Sequence, residues 1–257
     1  MKKIIVFGDN HGIDYWRKFA DLEILIDHKN MFTDYDLYVF LGDYTDSFDK
    51  TNVEIMQNLN KLARLKSNYP KQVVLLLGNH DLQYLYNYNE HGCSGFRPEA
   101  WFDLNDYFVH HEARFQAAFQ IENIIFTHAG IHRGWYNVEF PFNSPDIASD
   151  LNGALHQKVQ CLFDVGHRRG GFKHQGGPFW ADKHETLQKP LKGYHQVMGH
   201  TPVPEVKVYD TKDGHKLFYC DCLGKGKALE LTINDDKSIA YKQLEVELEE
   251  KFYASTK

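Results

Sequence analysis

Apolar residues in this chain come in short unbroken runs, and each run stops at a polar cluster. KIIVFGDNHG (3–12), DLYVFLGDYTD (36–46), QVVLLLGNHD (72–81), NIIFTHAG (123–130) and YHQVMGHTP (194–202) share this form. Continuous β-branched and leucine runs of this length predict strands covered on both faces. The stretches between the first three have helical spacing. In NVEIMQNLNKLARL (52–65), Ile55, Leu59, Leu62 and Leu65 recur three or four apart. This alternation predicts βαβ units and a largely parallel sheet. Residues 140–180 read as irregular, with Gly170-Gly171 and Gly176-Gly177, and a cap or loop region over about 132–190 is expected beside any site. EVKVYD, KLFYCDC, KALELTI and SIAYKQLEV then read as short strands, with turns at Lys212-Asp213-Gly214 and Asn234-Asp235-Asp236. They predict a second, mostly antiparallel sheet packed on the first, with helices outside.

Composition narrows the function classes. A chain of 257 residues without internal repeats or a Pro/Ser-rich linker is expected to form one domain over 1–257. With 42% hydrophobic and 25% charged residues it has the make-up of a soluble globular protein. A net charge of −6 argues against an extended nucleic-acid track or an anionic membrane as partner. MKKIIVFGDN is too short for a signal peptide, and no stretch approaches a membrane span. The four cysteines are few, and Cys220 and Cys222 are too close for an easy disulfide, so a reducing cytoplasm is the expected compartment.

The candidate chemistry lies where the runs stop. In LYVFLGDYTDSFDK, three carboxylates, Asp43, Asp46 and Asp49, follow a buried strand within seven residues. Loops at the carboxyl ends of parallel strands converge on one crevice. Here they deliver Asp9 and His11, Asp43 and Asp46, Asn79 and His80, His128, and His200. Each residue alone has an ordinary reading as a satisfied structural histidine, a turn aspartate or a helix cap. Together, carboxylate, imidazole and amide oxygen form a donor set for divalent first-row metals. One carboxylate among several imidazoles can bridge two cations.

The ordered blocks Gly8-Asp9-Asn10-His11-Gly12, Gly42-Asp43-Tyr44-Thr45-Asp46, Gly78-Asn79-His80-Asp81, His128-Ala129-Gly130 and Gly199-His200-Thr201 resemble the calcineurin-like metallophosphoesterases. They look most like the branch holding the serine/threonine protein phosphatases and bacterial diadenosine tetraphosphatases. The resemblance runs from residue 4 to about 232, where FYCDCLGKGKALELTI is similar to the strand–turn–strand that closes those domains. It implies an α/β fold: a two-sheet α/β-β/α sandwich of mixed sheets with flanking helices and a dimetal site at the strand C-terminal ends. It also implies ligand sets. Asp9, His11 and Asp43 would hold one metal, and Asp43, Asn79, His128 and His200 the second, with manganese, iron or zinc as the ions. Many relatives carry a second histidine two residues after the position of His200; here it is Pro202. His80 would be the general acid and Asp46 would orient it.

Elementary chemistry supports these roles. Two metals ~3.5–4 Å apart clamp a phosphoryl group, and metal binding lowers a water pKa from ~15.7 to ~7. A hydroxide formed there would attack phosphorus in line, and the leaving alkoxide would take a proton from His80. A carboxylate on that imidazole fixes its tautomer and favours its charged form.

Two positions depart from the family pattern. Relatives place phosphate-reading arginines where this chain has Ser47 and Asp182, and lysine cannot copy a bidentate guanidinium. The candidate replacements are Arg168 and Arg169, with Lys173, in HRRGGFKHQGG, then Arg97, Arg133 and Lys183. Tyr84, Tyr86 and Tyr88 read either as a nucleobase stack or as a half-buried helix face. Cys220 and Cys222 read as buried small apolar residues on one strand face. His110, His111 and His174 read as structural or surface histidines, and LEVELEEK as a solvated edge.

The leading expectation is therefore a metal-dependent phosphatase acting on phosphate monoesters of proteins or small molecules. The alternatives are a hydrolase of phosphoanhydrides or phosphodiesters, acting on dinucleoside polyphosphates or nucleotides, and a metal-bound binding module with weak or no turnover. The His80–Asp46 pair argues against the last, because a binder has no use for a leaving-group acid.

Overall fold

A computed structural model describes residues 1–31, 33–86 and 92–248. Tyr88 and the last residues of LEVELEEK lie outside the described residues. Two sheets pack face to face. The six-stranded sheet runs β11 (Ile239–Glu245), β10 (Lys227–Ile233), β1 (Lys2–Phe7), β2 (Leu37–Phe40), β3 (Val73–Leu76), β4 (Phe115–Gln116). Its β1 to β4 are parallel neighbours, as the strand–helix alternation predicts. The five-stranded sheet runs β5 (Ala118–Ile121), β6 (Ile124–Thr127), β7 (His195–Pro202), β9 (Lys216–Asp221), β8 (Lys207–Asp210). There β6, β7 and β9 are parallel, with β5 and β8 antiparallel at the edges.

Both faces of the central strands are buried, and this is why their sequences lack alternation. On β1, Ile4 and Val6 join Val39, Val74, Phe126, Val197 and Phe218 between the sheets. Ile5 and Phe7 face the helices instead. The helices are α1 (Leu22–Asp27), α2 (Asn52–Asn68), α3 (Asn79–Leu85), α4 (Trp101–His111), α5 (Arg133–Val138), α6 (Ile147–His156) and α7 (Lys183–Gln188). In α2 the predicted positions Ile55, Leu59, Leu62 and Leu65 are buried, and a Thr51/Glu54 capping box starts the helix.

Three expectations need correction. The C-terminal strands do not form one antiparallel sheet. β8 and β9 extend the second sheet, while β10 and β11 cross to the first. The physical reason is the open hydrogen-bonding edge of β1, which β10 covers, placing Leu229, Leu231 and Ile233 between the sheets. Residues 140–180 are not irregular throughout. Asp146 caps α6 by accepting from Ser149 N–H at 3.0 Å, and Ile147, Leu151, Ala154 and Leu155 bury its inner face. Pro141, Pro145 and Gly153 hide that periodicity in the sequence. Finally, Cys220 and Cys222 do not share a face. Cys222 lies beyond β9, and the two thiols sit in separate apolar clusters.

Candidate metal centre

The strand ends β1, β2, β3, β7 and β9 open into one cleft of about 540 Å³. Asp9, His11, Asp43, Asp46, Asn79, His80, Arg169, Trp180, His200 and Asp221 line it. His128, at the end of β6, is wholly buried and reaches Asn79 and His200 from behind. The backbone is bent to bring these side chains together. His11, Asp43, Asp46 and His200 have φ of 44°, 53°, 53° and 62°. Non-glycine residues in the left-handed region each cost roughly 1–2 kcal/mol. Close approach does the rest. A Cβ at Gly78 would strike the Asp43 carboxylate, and one at Gly199 would strike that of Asp9.

The hydrogen bonds fix which atoms face the cleft. His11 Nδ1 meets the carbonyls of Thr45 (3.0 Å) and Asp46 (2.8 Å), so it must donate, and Nε2 is left as the free donor atom toward Asp43 Oδ2 at 3.8 Å. His128 Nδ1 likewise donates to Leu41 O at 2.8 Å. Its bare Nε2 then faces Asn79 Oδ1 (2.9 Å), His200 Nδ1 (3.1 Å) and Asp43 Oδ2 (3.4 Å). Four potential acceptors converge here, and burial holds the pKa of both imidazoles down. His200 Nε2 is buried without any partner. Unless His200 Nδ1 carries the ring proton, four lone pairs face one another here, and a cation relieves that repulsion. The residues present therefore fit a divalent metal.

Two groups have all their ligand atoms within 4.8 Å of one another: Asp43, His128 and His200, and His11, Asp43 and His80. Asp43 belongs to both. Asp9 stands beside them, its oxygens accepting from His200 N–H at 2.9 and 3.0 Å.

The His80–Asp46 couple is built on α3. His80 Nδ1 lies 2.8 Å from Asp46 Oδ2. Gln83 Nε2 also donates to Asp46 Oδ2, and the Tyr84 hydroxyl donates to Oδ1 at 2.5 Å. Burial lowers the His80 pKa, but the Asp43 and Asp46 carboxylates outweigh it and push it up to about 9. Asp81 ties the loop after β2 to this helix. It accepts from Tyr44 N–H (2.8 Å), Thr45 N–H (3.2 Å) and Gly78 N–H (2.9 Å). Burial, then repulsion from Asp43, raises its pKa to about 8. Burial and the Asp221 and Asp43 carboxylates raise Asp9 well above its ordinary value.

The arginine candidates separate. Arg169 lines the cleft, ion-paired to Asp182 at 3.1 Å and donating to Thr201 Oγ1 at 2.7 Å. Arg168 is an exposed neighbour outside the lining. Arg97 holds the loop after β2, binding Ser47 O, Lys50 O and Asn52 Oδ1. Arg133 opens onto another surface groove beside Lys189 and Lys192. Lys183 lies over the rings of Tyr209 and Tyr219, at 5.0 and 5.2 Å.

Sequence reasoning passed over Gln83, Asp81 and Asp221, and gave Tyr84 a different role. The signal for Gln83 and Tyr84 was present, since residues three and four after His80 share its helix face.

A two-sheet sandwich with paired donor sets and a histidine–carboxylate couple at its strand ends defines a metal-dependent phosphoester hydrolase. Residues 2–219 match the family described as calcineurin-like phosphoesterase, and the chain belongs to that family. Its fold is similar to a cold-active protein-tyrosine phosphatase of a psychrophilic Shewanella species (TM-score 0.54, 16% identity, covering 94% of this chain and 80% of that one). It is also similar to a Saccharomyces cerevisiae protein serine/threonine phosphatase (TM-score 0.50, 16% identity, 97% and 82% covered). No helix among the described residues is long and apolar enough to cross a membrane.

The buried charges predict a pH-dependent fold. Asp81 keeps its proton up to about pH 8 and His80 up to about 9 in the native chain. The unfolded chain releases them at ~3.9 and ~6.5. From pH 7 to 9 the native state therefore binds more protons, and stability falls as pH rises. The depressed imidazoles are neutral in both states above ~7 and do not oppose this. Thermal melts in EDTA should lose several degrees between pH 7 and 9, and added manganese should shrink the loss. A flat profile in EDTA would contradict the charge assignment.

Proposed function

We propose that the chain hydrolyses phosphate monoesters on phosphoproteins or small molecules. Asp9, His11 and Asp43 hold one divalent cation, and Asp43, Asn79, His128 and His200 hold another. Manganese, iron or zinc suits these oxygen and imidazole donors. When bound, such cations polarise the phosphoryl oxygens and lower the pKa of water. The chain's own part is protonation and positioning. His80 carries the proton to the leaving oxygen, and Asp46, held by Gln83 and Tyr84, fixes the imidazole and keeps it charged.

The observation that carries this reading is the His80–Asp46 couple at the edge of a cleft lined by metal-ligating side chains. Arg169 supplies the guanidinium that Ser47 and Asp182 lack, with Asp182 turned into its anchor. The absence of a disulfide among the four cysteines supports a reducing, cytoplasmic setting. A panel of phosphopeptides, nucleotides and dinucleoside polyphosphates, with manganese added, tests the monoester preference. Faster turnover of dinucleoside polyphosphates would replace it with the anhydride reading, and no turnover at all would leave a binding module.

His80→Asn should keep the metals yet slow phenyl phosphate hydrolysis by roughly 10²–10⁴. p-Nitrophenyl phosphate, whose leaving group needs no proton, should suffer much less. Equal losses on both esters would remove His80 from the acid role. Asp46→Asn should give a milder form of the same pattern.

For Arg169→Ala, steady-state kinetics should show KM rising by about tenfold or more, as loss of a charged hydrogen bond worth ~1.5–3 kcal/mol requires. Arg168→Ala should change KM little. Wild-type KM in Arg169→Ala would return the basic loop to solvent.

A further inference from the structure

The side chains that hold Asp46 have their own polarity set from residues 93–97. Tyr84 has one hydroxyl proton and two partners, Asp46 Oδ1 at 2.5 Å and the backbone N–H of Arg97 at 3.0 Å. The backbone N–H can only donate, so the hydroxyl oxygen accepts from it and the hydroxyl proton goes to Asp46. Gln83 repeats the pattern. Its Oε1 accepts from Cys93 N–H at 3.3 Å, which turns Nε2 toward Asp46 Oδ2. Two backbone N–H groups thus direct two donors onto Asp46. His80 Nδ1, 2.8 Å from Oδ2, is the third.

The Arg97 side chain fixes where Asp46 stands. It is half-buried and lies outside the lining of the cleft. Its Nη2 donates to the carbonyls of Ser47 and Lys50, the latter at 2.6 Å, and its Nη1 to Asn52 Oδ1 at 2.5 Å. Within the same turn, Ser47 Oγ accepts from Asp49 N–H at 3.3 Å and Lys50 N–H at 3.1 Å. Asp46 enters this clamped turn with φ of 53°, a left-handed conformation that persists only where the surroundings enforce it. One residue therefore acts on Asp46 from two directions. Its backbone directs the Tyr84 proton, and its guanidinium holds the residue that follows Asp46.

We propose that Arg97 is a positioning residue for proton delivery: it holds Asp46 against His80 and acts through Asp46 rather than on the substrate. This rests on the acid role given to His80 above. A guanidinium that read the substrate phosphate would act on binding. One that sets Asp46 acts on the step in which the leaving oxygen takes its proton. Charge alone does not replace it, because a lysine has no planar fork to span Ser47, Lys50 and Asn52.

The test is a double-mutant cycle between Arg97→Ala and Asp46→Asn, read by steady-state kinetics with manganese on phenyl phosphate and p-nitrophenyl phosphate. Arg97→Ala should lower kcat for phenyl phosphate by about tenfold, a part of what a general acid contributes. The loss on p-nitrophenyl phosphate should be much smaller, and KM should stay as in the wild type. In the Asp46→Asn background the same change should cost nothing further. Arg97→Lys keeps the charge without the fork and should show the same signature more weakly; it carries the test if Arg97→Ala does not fold. A raised KM with unchanged kcat would make Arg97 a substrate contact and overturn the proposal. Equal losses on both esters would overturn it by showing general support of the fold. Losses that add to those of Asp46→Asn, or wild-type kinetics in both variants, would overturn it as well. Equal losses on both esters in His80→Asn would remove the acid reading itself, and this proposal with it.

Discussion

The arrangement of this protein depends on one electrostatic constraint: strand ends from both sheets present electron pairs to the same small, buried volume. Asp43 stands at its centre. One oxygen accepts the His80 backbone N–H at 3.0 Å, and the other faces His128 at 3.4 Å and His11 at 3.8 Å. Burial pushes a carboxyl toward its neutral form, yet the three imidazoles around Asp43 hold its pKa below the ordinary value. At Asp9 and Asp81 burial and the neighbouring carboxylates win, and both are pushed the other way. A fold that gathers uncompensated acceptors in this manner is incomplete without positive charge.

The scaffold opposes that repulsion with rigid local geometry. Left-handed backbone at His11, Asp43, Asp46 and His200 turns consecutive side chains into the cleft, and glycines at 78 and 199 admit carboxylates where a Cβ would collide. Asp81 then locks the β2 loop to the start of α3 through three backbone N–H groups. The same helix presents His80, Gln83 and Tyr84 to Asp46. The candidate metal ligands and the His80–Asp46 couple therefore share one braced unit, and a shift in that helix would disturb both.

Much of this was legible in the sequence because its signals are local. Runs such as IIVF and VVLLL encode strands buried on both faces, and Thr51 with Glu54 encodes the start of α2. The site blocks follow directly from strand ends. Long-range choices were not legible. Nothing in KALELTI says that it pairs with β1 rather than β9; the open edge of β1 decides it. Arg97 resembles a phosphate reader in one dimension and is a loop brace in three. Asp182 looked like a lost arginine, whereas it is the anchor that brings Arg169 to the cleft. Asp221 reaches the cleft through the register of β9 against Pro202, which only the folded sheet sets.

The central claim is that Asp43 joins two cation positions in one cleft. Anomalous diffraction from crystals grown with manganese tests it most directly. The account predicts two anomalous peaks, one on each side of the Asp43 carboxylate, with His128 and His200 at one and Asp9 and His11 at the other. A single peak, or a pair that leaves Asp43 outside both coordination shells, would contradict it.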